Sequence, residues 1–168
     1  MVRVRHGALA LGIALAVTGC GKKKIEELPA PSQAPVTQNE PPSSQPAPGS
    51  QADFLARMAG QDVIFFGTDR YDIDAVDAAA LQTQAAWLQR YPGKMARIEG
   101  HADERGTREY NLALGERRAH AARNYLIGIG IAANRLTVVS FGKERPEALG
   151  SDEASWQRNR RAVTVTID

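Results

Sequence analysis

The chain has 168 residues, with 21 Lys and Arg against 19 Asp and Glu, a formal net charge of +2 and a single cysteine. This charge excludes a strongly basic nucleic-acid binder of the histone type, and one cysteine excludes an intramolecular disulfide framework and a cysteine-rich zinc module. The length suits one ordinary domain with extra segments, and an aromatic content of 6% predicts a modest core rather than a large enzyme fold.

Residues 1–19 have the pattern of a secretory signal peptide. Arg3 and Arg5 precede an uncharged segment, residues 7–17, which is too short to cross a hydrocarbon core that needs roughly 20 helical residues. The sequence Val-Thr-Gly-Cys that ends at Cys20 resembles a bacterial lipobox. It predicts a lipid anchor at Cys20, because two or more acyl chains hold a protein on a membrane without a spanning helix. The alternative is an ordinary signal peptide with a cysteine at this position by chance.

Residues 20–52 are expected to carry the lipidated cysteine and to form a disordered tether. Seven of the nine prolines lie there, with many Ser and Gln residues and no aromatic residue. Such a segment buries too little apolar surface to offset its ordering entropy. Gly21 follows Cys20 where inner-membrane lipoproteins carry Asp, which favours the outer membrane as the destination, reached from the periplasmic side. A linker without a membrane role is the alternative.

Residues 53–168 are predicted to form one α/β domain. Short apolar or alternating runs predict strands at residues 62–66, 95–99, 136–141 and 161–167. Capping residues before longer amphipathic runs predict helices at residues 74–90, 106–128 and 152–157. We expect Leu114, Ala121 and Tyr125 on the buried face of the second helix. The order β-α-β-α-β-(short α)-β predicts a two-layer α/β sandwich.

The loop between the second predicted strand and the next helix carries candidate binding residues. Ligands of open α/β sheets lie where strands end and helices begin, and a helix start offers N–H groups to an anion. Asp103 can accept a cation, and Arg118, fifteen residues later, can pair with a carboxylate. Together they suit a zwitterion whose ammonium contacts Asp103. A structural salt bridge between Asp103 and Arg118 is the alternative.

Spaced motifs across residues 60–168 resemble the OmpA-like peptidoglycan-binding domain. The matching positions are Gly100-His101-Ala102-Asp103, Gly106, Tyr110-Asn111, Leu114, Arg118-Ala119, Tyr125-Leu126, Gly130-Ile131, Arg135-Leu136, Phe141-Gly142, Pro146 and Asn159-Arg160-Arg161. The resemblance implies a mixed sheet with the last strand inside it. It also implies non-covalent binding of the peptide stem of peptidoglycan, chiefly the free end of meso-diaminopimelate.

The same resemblance implies the roles of individual residues. Asp103 and Arg118 are the principal ligand residues, and Asp69, beside Thr68, closes the other side of the site. The supporting ligand residues are Gly106, Thr107, Asn111 and Leu114. The residues around Arg160 support the site or its rim, although a solvated charged turn is the alternative for them.

With the lipobox and the tether, the resemblance further implies TolB and other Tol proteins as partners. A lipid-anchored interaction platform that does not bind the wall is the alternative. Neither catalysis, a metal nor a cofactor is expected, because His101 and Glu104 have no second nearby histidine and no nucleophile motif. His101 is interpreted as a packing or orienting residue. The arginines at 117, 118 and 123 are interleaved with acidic residues and lack an aromatic stacking platform, so no nucleic-acid partner is expected.

Overall fold

The computed structural model describes residues 45–167, so the predicted signal peptide, Cys20 and the tether up to residue 44 lie outside the described residues. The described elements are, in order, α1 (Gln51–Met58), β1 (Val63–Phe65), α2 (Ala75–Arg90), β2 (Met95–His101), α3 (Arg108–Gly128), a 3₁₀ turn (Ala133–Arg135), β3 (Leu136–Gly142), α4 (Glu153–Asn159) and β4 (Arg161–Ile167). All four predicted strands and all three predicted helices are present, and their ends agree within two residues.

The four strands form one mixed sheet in the order β1-β4-β2-β3. β4 is antiparallel to both of its neighbours, and β2 is parallel to β3. The parallel pair is connected through α3, because parallel strands need a crossover. The last strand of the chain therefore lies inside the sheet, and the predicted α/β sandwich with a mixed sheet is confirmed.

The core lies between the sheet and the helices. Alternate strand residues such as Ile64, Ile98 and Ala162 are buried in it, as the period of two requires. On α2 the buried face contains Leu81, Ala85 and Leu88. On α3 the expected face is partly wrong. The fully buried positions include Ala122 and Leu126, whereas Ala121 and Tyr125 are only half-buried.

Helix α1 was not predicted, and it begins inside the segment assigned to the tether. The Ser50 hydroxyl accepts a hydrogen bond from the Asp53 N–H at 3.1 Å and caps the helix. The Asp53 carboxylate in turn accepts from the Gly49 N–H and the Trp87 indole N–H, each at 3.0 Å. Phe54 is buried against the Trp87 ring, with 5.0 Å between ring centres. The packed domain therefore begins before the boundary expected at Asp53.

β2 and α3 approach each other closely at two glycines. A Cβ atom on Gly100 would lie 1.8 Å from the carbonyl oxygen of Gly115. One on Gly115 would lie 2.5 Å from the Ser140 hydroxyl oxygen. This contact places the end of β2 directly beside α3, where the candidate site lies.

Candidate ligand-binding site

A cavity of about 300 Å³ is lined by the loop after β1, the loop between β2 and α3, and α3 itself. Thr107, one of the eight predicted ligand residues, does not line it. Its hydroxyl instead caps α3 by accepting a hydrogen bond from the Tyr110 N–H at 3.2 Å. The other seven predicted residues line the cavity and are Thr68, Asp69, Asp103, Gly106, Asn111, Leu114 and Arg118. Residues that are distant in sequence thus surround one space.

Arg118 is the buried cation of this cavity. Its side chain is 0% exposed. Three of its N–H groups donate to the main-chain carbonyls of Arg70 (2.9 Å), His101 (2.8 Å) and Gly67 (3.0 Å). These bonds join the loop after β1 to the end of β2. Burial lowers the pKa of Arg118 to about 10, so it remains charged at neutral pH. Within the described chain, its hydrogen-bond partners are all neutral carbonyls.

Asp103 is the buried anion of the cavity, and it contacts two arginines other than Arg118. The Arg105 guanidinium donates to both of its carboxylate oxygens, at 2.6 and 3.1 Å. Arg160 donates to it at 3.4 Å. A direct Asp103–Arg118 salt bridge, the alternative considered from the sequence, is not among the ion pairs of residues 45–167. Burial acts to raise the pKa of Asp103, but the hydrogen bonds and charge of Arg105, together with the hydrogen bond from Arg160, outweigh it, and the pKa lies below its ordinary value.

Arg160 holds Asp103 from the interior. It is 2% exposed and donates to the Phe66 carbonyl at 3.0 Å and to the Glu153 carboxylate at 2.6 Å. A buried guanidinium with several partners has little freedom to move. This arrangement agrees with the expected supporting role of Arg160 and not with a solvated charged turn.

Asp69 connects the two sides of the cavity. Its φ of 55° places it in the left-handed region, which is uncommon for residues other than glycine. Its carboxylate accepts a hydrogen bond from the Tyr110 hydroxyl at 3.0 Å, and that bond raises the pKa of Tyr110. The loop after β1 is thereby tied to the first turn of α3. Strained residues held by their surroundings are frequent at binding sites.

The beginning of α3 supplies the remaining predicted residues. Gly106 has a φ of 85°, which favours glycine over residues with a Cβ. Asn111 is buried, and its side-chain amide donates to the Arg105 carbonyl at 2.7 Å, so it fixes the loop rather than pointing freely into the cavity. Leu114 is buried and gives the cavity an apolar wall.

Two lining residues, Arg105 and Tyr110, were missed in the sequence. A signal existed for Tyr110, because it lies four residues before Leu114 and hence on the same side of the predicted helix. No comparable signal existed for Arg105. Its partner is determined by how the loop folds back on Asp103.

His101 is packed in the interior. It is 2% exposed, its ring lies 5.5 Å from that of Phe141, and burial lowers its pKa to about 4. Between residues 45 and 167 no three His, Cys, Asp or Glu side chains are grouped so as to hold a metal ion. Among the helices described, none is long and apolar enough to span a membrane.

The fold is similar to that of other solved structures. The crystal structure of the peptidoglycan-associated lipoprotein from Burkholderia pseudomallei superposes with a TM-score of 0.61, at 46% identity, over 62% of this chain and 89% of that one. The C-terminal domain of Helicobacter pylori MotB superposes with a TM-score of 0.59, over 63% of this chain and 84% of that one. At 19% identity, the second comparison supports the fold alone.

Sequence similarity to known proteins extends beyond the folded domain. Residues 65–160 match the OmpA family. The peptidoglycan-associated lipoprotein of Agrobacterium fabrum is 46% identical over 160 residues, and that of Rhizobium meliloti is 48% identical over 157. Each alignment covers 94% of this chain and 85% of the relative. The chain therefore belongs to the OmpA family and, within it, to the peptidoglycan-associated lipoproteins.

Proposed function

We propose that the cavity binds the free end of meso-diaminopimelate in the peptide stem of peptidoglycan, without covalent chemistry. The observation that carries this proposal is Arg118, a buried cation that lines a cavity and has only neutral carbonyls as hydrogen-bond partners in the described chain. A buried charge is expensive unless it is paired. Asp103 and Asp69 are close enough for their charges to act on Arg118, but neither is hydrogen-bonded to it. A ligand carboxylate would supply a directly bonded anion.

The second charge of the ligand would be met by Asp103. The free end of diaminopimelate carries an ammonium and a carboxylate on one carbon, so it needs an anion and a cation close together. Asp103 and Arg118 line the same cavity without pairing with each other. The other predicted ligand residues would shape the space around them: Thr68, Asp69, Gly106, Thr107, Asn111 and Leu114.

This binding would connect the outer membrane to the cell wall. In the proposal, Cys20 carries the lipid, the proline-rich segment before α1 spans the distance to the wall, and the domain binds the wall from the periplasmic side. The names of the relatives, lipoproteins associated with peptidoglycan, support this arrangement. We further propose that the chain acts in the Tol–Pal system with TolB as a partner, supporting envelope integrity and constriction at division. Proteins of this family are structural and not enzymes.

Co-sedimentation with purified sacculi tests the proposal. The soluble chain from residue 21 should pellet with sacculi and be displaced by a stem peptide that ends in meso-diaminopimelate. Asp103→Asn should lose this binding, because it removes the anion that meets the ammonium. Asp74→Asn is the matched control, since Asp74 caps α2 outside the cavity and Asn is an equally good cap.

Three outcomes would contradict the proposal. If Asp103→Asn sediments as well as the parent chain, the site is misassigned. If the parent chain binds TolB but not sacculi, the domain is an interaction platform. If sacculi release soluble fragments, the protein acts on the wall as an enzyme.

A further inference from the structure

The Arg105 side chain already forms hydrogen bonds with the Asp103 carboxylate, which the ammonium of the proposed ligand needs. Its Nη2 lies 2.6 Å from one Asp103 oxygen and its Nε lies 3.1 Å from the other, and its main-chain N–H donates to the second oxygen at 3.1 Å. Charge-assisted pairs of this bidentate kind are among the stronger hydrogen bonds in proteins. A ligand ammonium must therefore share or replace this contact.

The two arginines on Asp103 differ in how freely they can move. The side chain of Arg105 is 39% exposed, whereas that of Arg160 is 3% exposed and also bonded to Glu153 and Phe66. Only Arg105 can leave without opening the domain interior. It is the exchangeable partner of Asp103.

Trp156 holds Arg105 in its present position. The Arg105 guanidinium carbon lies 4.1 Å from the centre of the Trp156 ring, within the range of a cation–π interaction. The indole N–H is itself fixed by the Glu104 carboxylate at 3.0 Å. A weaker contact joins Arg105 to the Thr68 hydroxyl at 3.3 Å, across the cavity mouth. Arg105 thus has a closed position built from residues of three separate segments.

We propose that the Arg105 side chain is a latch: it must be displaced from Asp103 before the ammonium of the ligand can bind there. Trp156 stabilises the closed position, in which Arg105 contacts Asp103. The inference rests on the proposed function and deepens it. A cation alone would have to compete with a bidentate arginine for Asp103. A ligand that also places a carboxylate on Arg118 gains a second contact that offsets the loss. The latch therefore selects ligands that carry both charges.

Titration with a stem peptide ending in meso-diaminopimelate tests the latch, with binding followed by calorimetry. Arg105→Gln removes the competing charge and should bind the peptide about 10-fold more tightly, the effect of losing one charge-assisted hydrogen bond. Trp156→Leu should shift affinity in the same direction by a smaller factor. Arg108→Gln is the charge-matched control, because exposed Arg108 pairs with Glu144 and does not line the cavity, and its affinity should match the parent.

Tryptophan fluorescence gives a second readout. The chain has two tryptophans, and Trp87 is buried against α1, away from Arg105. Ligand binding should change the emission of Trp156 in the parent chain, since the guanidinium leaves its ring. In Arg105→Gln the peptide should bind with little such change.

The outcomes separate the latch from the proposed function. If the parent chain binds the peptide and Asp103→Asn does not, but Arg105→Gln binds equally or more weakly, the latch is refuted and the function stands. If the parent chain does not bind the peptide, both are refuted. Arg105→Lys keeps a charge but not the fork, so it should bind the peptide more tightly than the parent chain does. This result would support the latch even if the glutamine variant unfolds, whereas an affinity equal to or below the parent's would refute it.

Discussion

At the scale of single residues, Arg118 combines a structural role with a proposed binding role. Its three hydrogen bonds to carbonyls attach the loop after β1 to β2, so the walls of the cavity depend on it. Its charge is not needed for those bonds alone, because a neutral donor could also serve a carbonyl. A permanent, fully buried charge facing a cavity is better explained by an anionic ligand.

Arg118→Lys separates these two roles when it is compared with Arg123→Lys. Arg123 lies on the same helix, donates to the carbonyls of Leu136 and Ala133 at 3.1 and 3.2 Å, and does not line the cavity. A lysine cannot reproduce the fork of an arginine, so each carbonyl left unpaired should cost about 1–3 kcal/mol where it is buried. Both variants should unfold at lower urea concentration. Only Arg118→Lys should bind the stem peptide at least about 10-fold more weakly.

One result for these two variants would contradict the proposed binding role of Arg118. If the two variants lose stability to a similar extent and both keep the parent's peptide affinity, Arg118 is a structural residue alone. The proposed carboxylate site would then have to lie elsewhere in the cavity.

The sequence was informative about which residues surround the cavity and uninformative about how they pair. A loop after a strand and a following helix made Asp103 and Arg118 a candidate pair, and the family resemblance assigned them and the other predicted ligand residues to the site. The contact of Asp103 with Arg105 and Arg160 depends on side-chain packing from three segments. The spacing of residues in the sequence does not predict these contacts.

At the scale of elements, the site depends on how closely α3 packs against β2. The contact of Gly100 with Gly115 permits an approach that no larger residue allows, since a Cβ on Gly100 would overlap the Gly115 carbonyl. Asp103 follows β2, and Arg118 lies on α3 less than one turn beyond Gly115. The separation of the two proposed ligand residues is therefore set at these glycines.

Gly100→Ala should be strongly destabilising for this reason. Overpacking of a backbone contact that cannot relax costs about 3 kcal/mol, which urea unfolding would detect. Gly128→Ala is the matched control, because nothing lies within 4 Å of a Cβ there, and the helix should gain up to about 1 kcal/mol. Equal stability of the two variants would show that β2 and α3 separate easily.

Helix α1 has its own pH-sensitive attachment at Asp53. Hydrogen bonds from the Gly49 N–H, and then from Arg57 and Trp87, lower the pKa of Asp53 from its ordinary 3.8 to about 2. The folded state thus favours the carboxylate, so its contribution to stability is full above pH 3.8 and is lost as the pH falls towards 2. The melting temperature of Asp53→Asn should be below that of the parent at pH 7, and the difference should shrink between those two pH values. A constant difference would contradict this role of the charge.

The elements that sequence reasoning found and missed differ in their local signals. β4 was predictable as a strand because Val163, Val165 and Ile167 alternate with threonines, but the structure buries Thr164 and Thr166 more deeply than these apolar residues. Its place inside the sheet followed only from the family resemblance. Helix α1 was missed because it follows a proline-rich segment and is short. Its stability comes from Asp53 and Phe54 contacting Trp87, which is a tertiary and not a local interaction.

At the scale of the whole molecule, the charge of +2 is a property of the predicted export signal. Without Arg3 and Arg5 the 21 basic residues become 19, equal to the 19 acidic ones. A neutral chain does not attract polyanions over long range. The proposed recognition of a zwitterion by Asp103 and Arg118 needs no such field, because it would depend on two paired contacts at close distance.

Anchoring and wall binding should therefore be separable by two single substitutions in the full chain. Cys20→Ser removes the proposed acylation site but leaves the cavity intact, so the protein should lose fatty-acid labelling, leave the membrane fraction and still pellet with purified sacculi. Asp103→Asn should do the reverse, keeping the label and the membrane while losing the sacculi. Because a tethered domain faces the wall at an effective concentration on the order of millimolar, even modest affinity suffices in the parent chain. Membrane retention of Cys20→Ser would contradict the anchor, and loss of both attachments in either variant would show that lipid and cavity do not act independently.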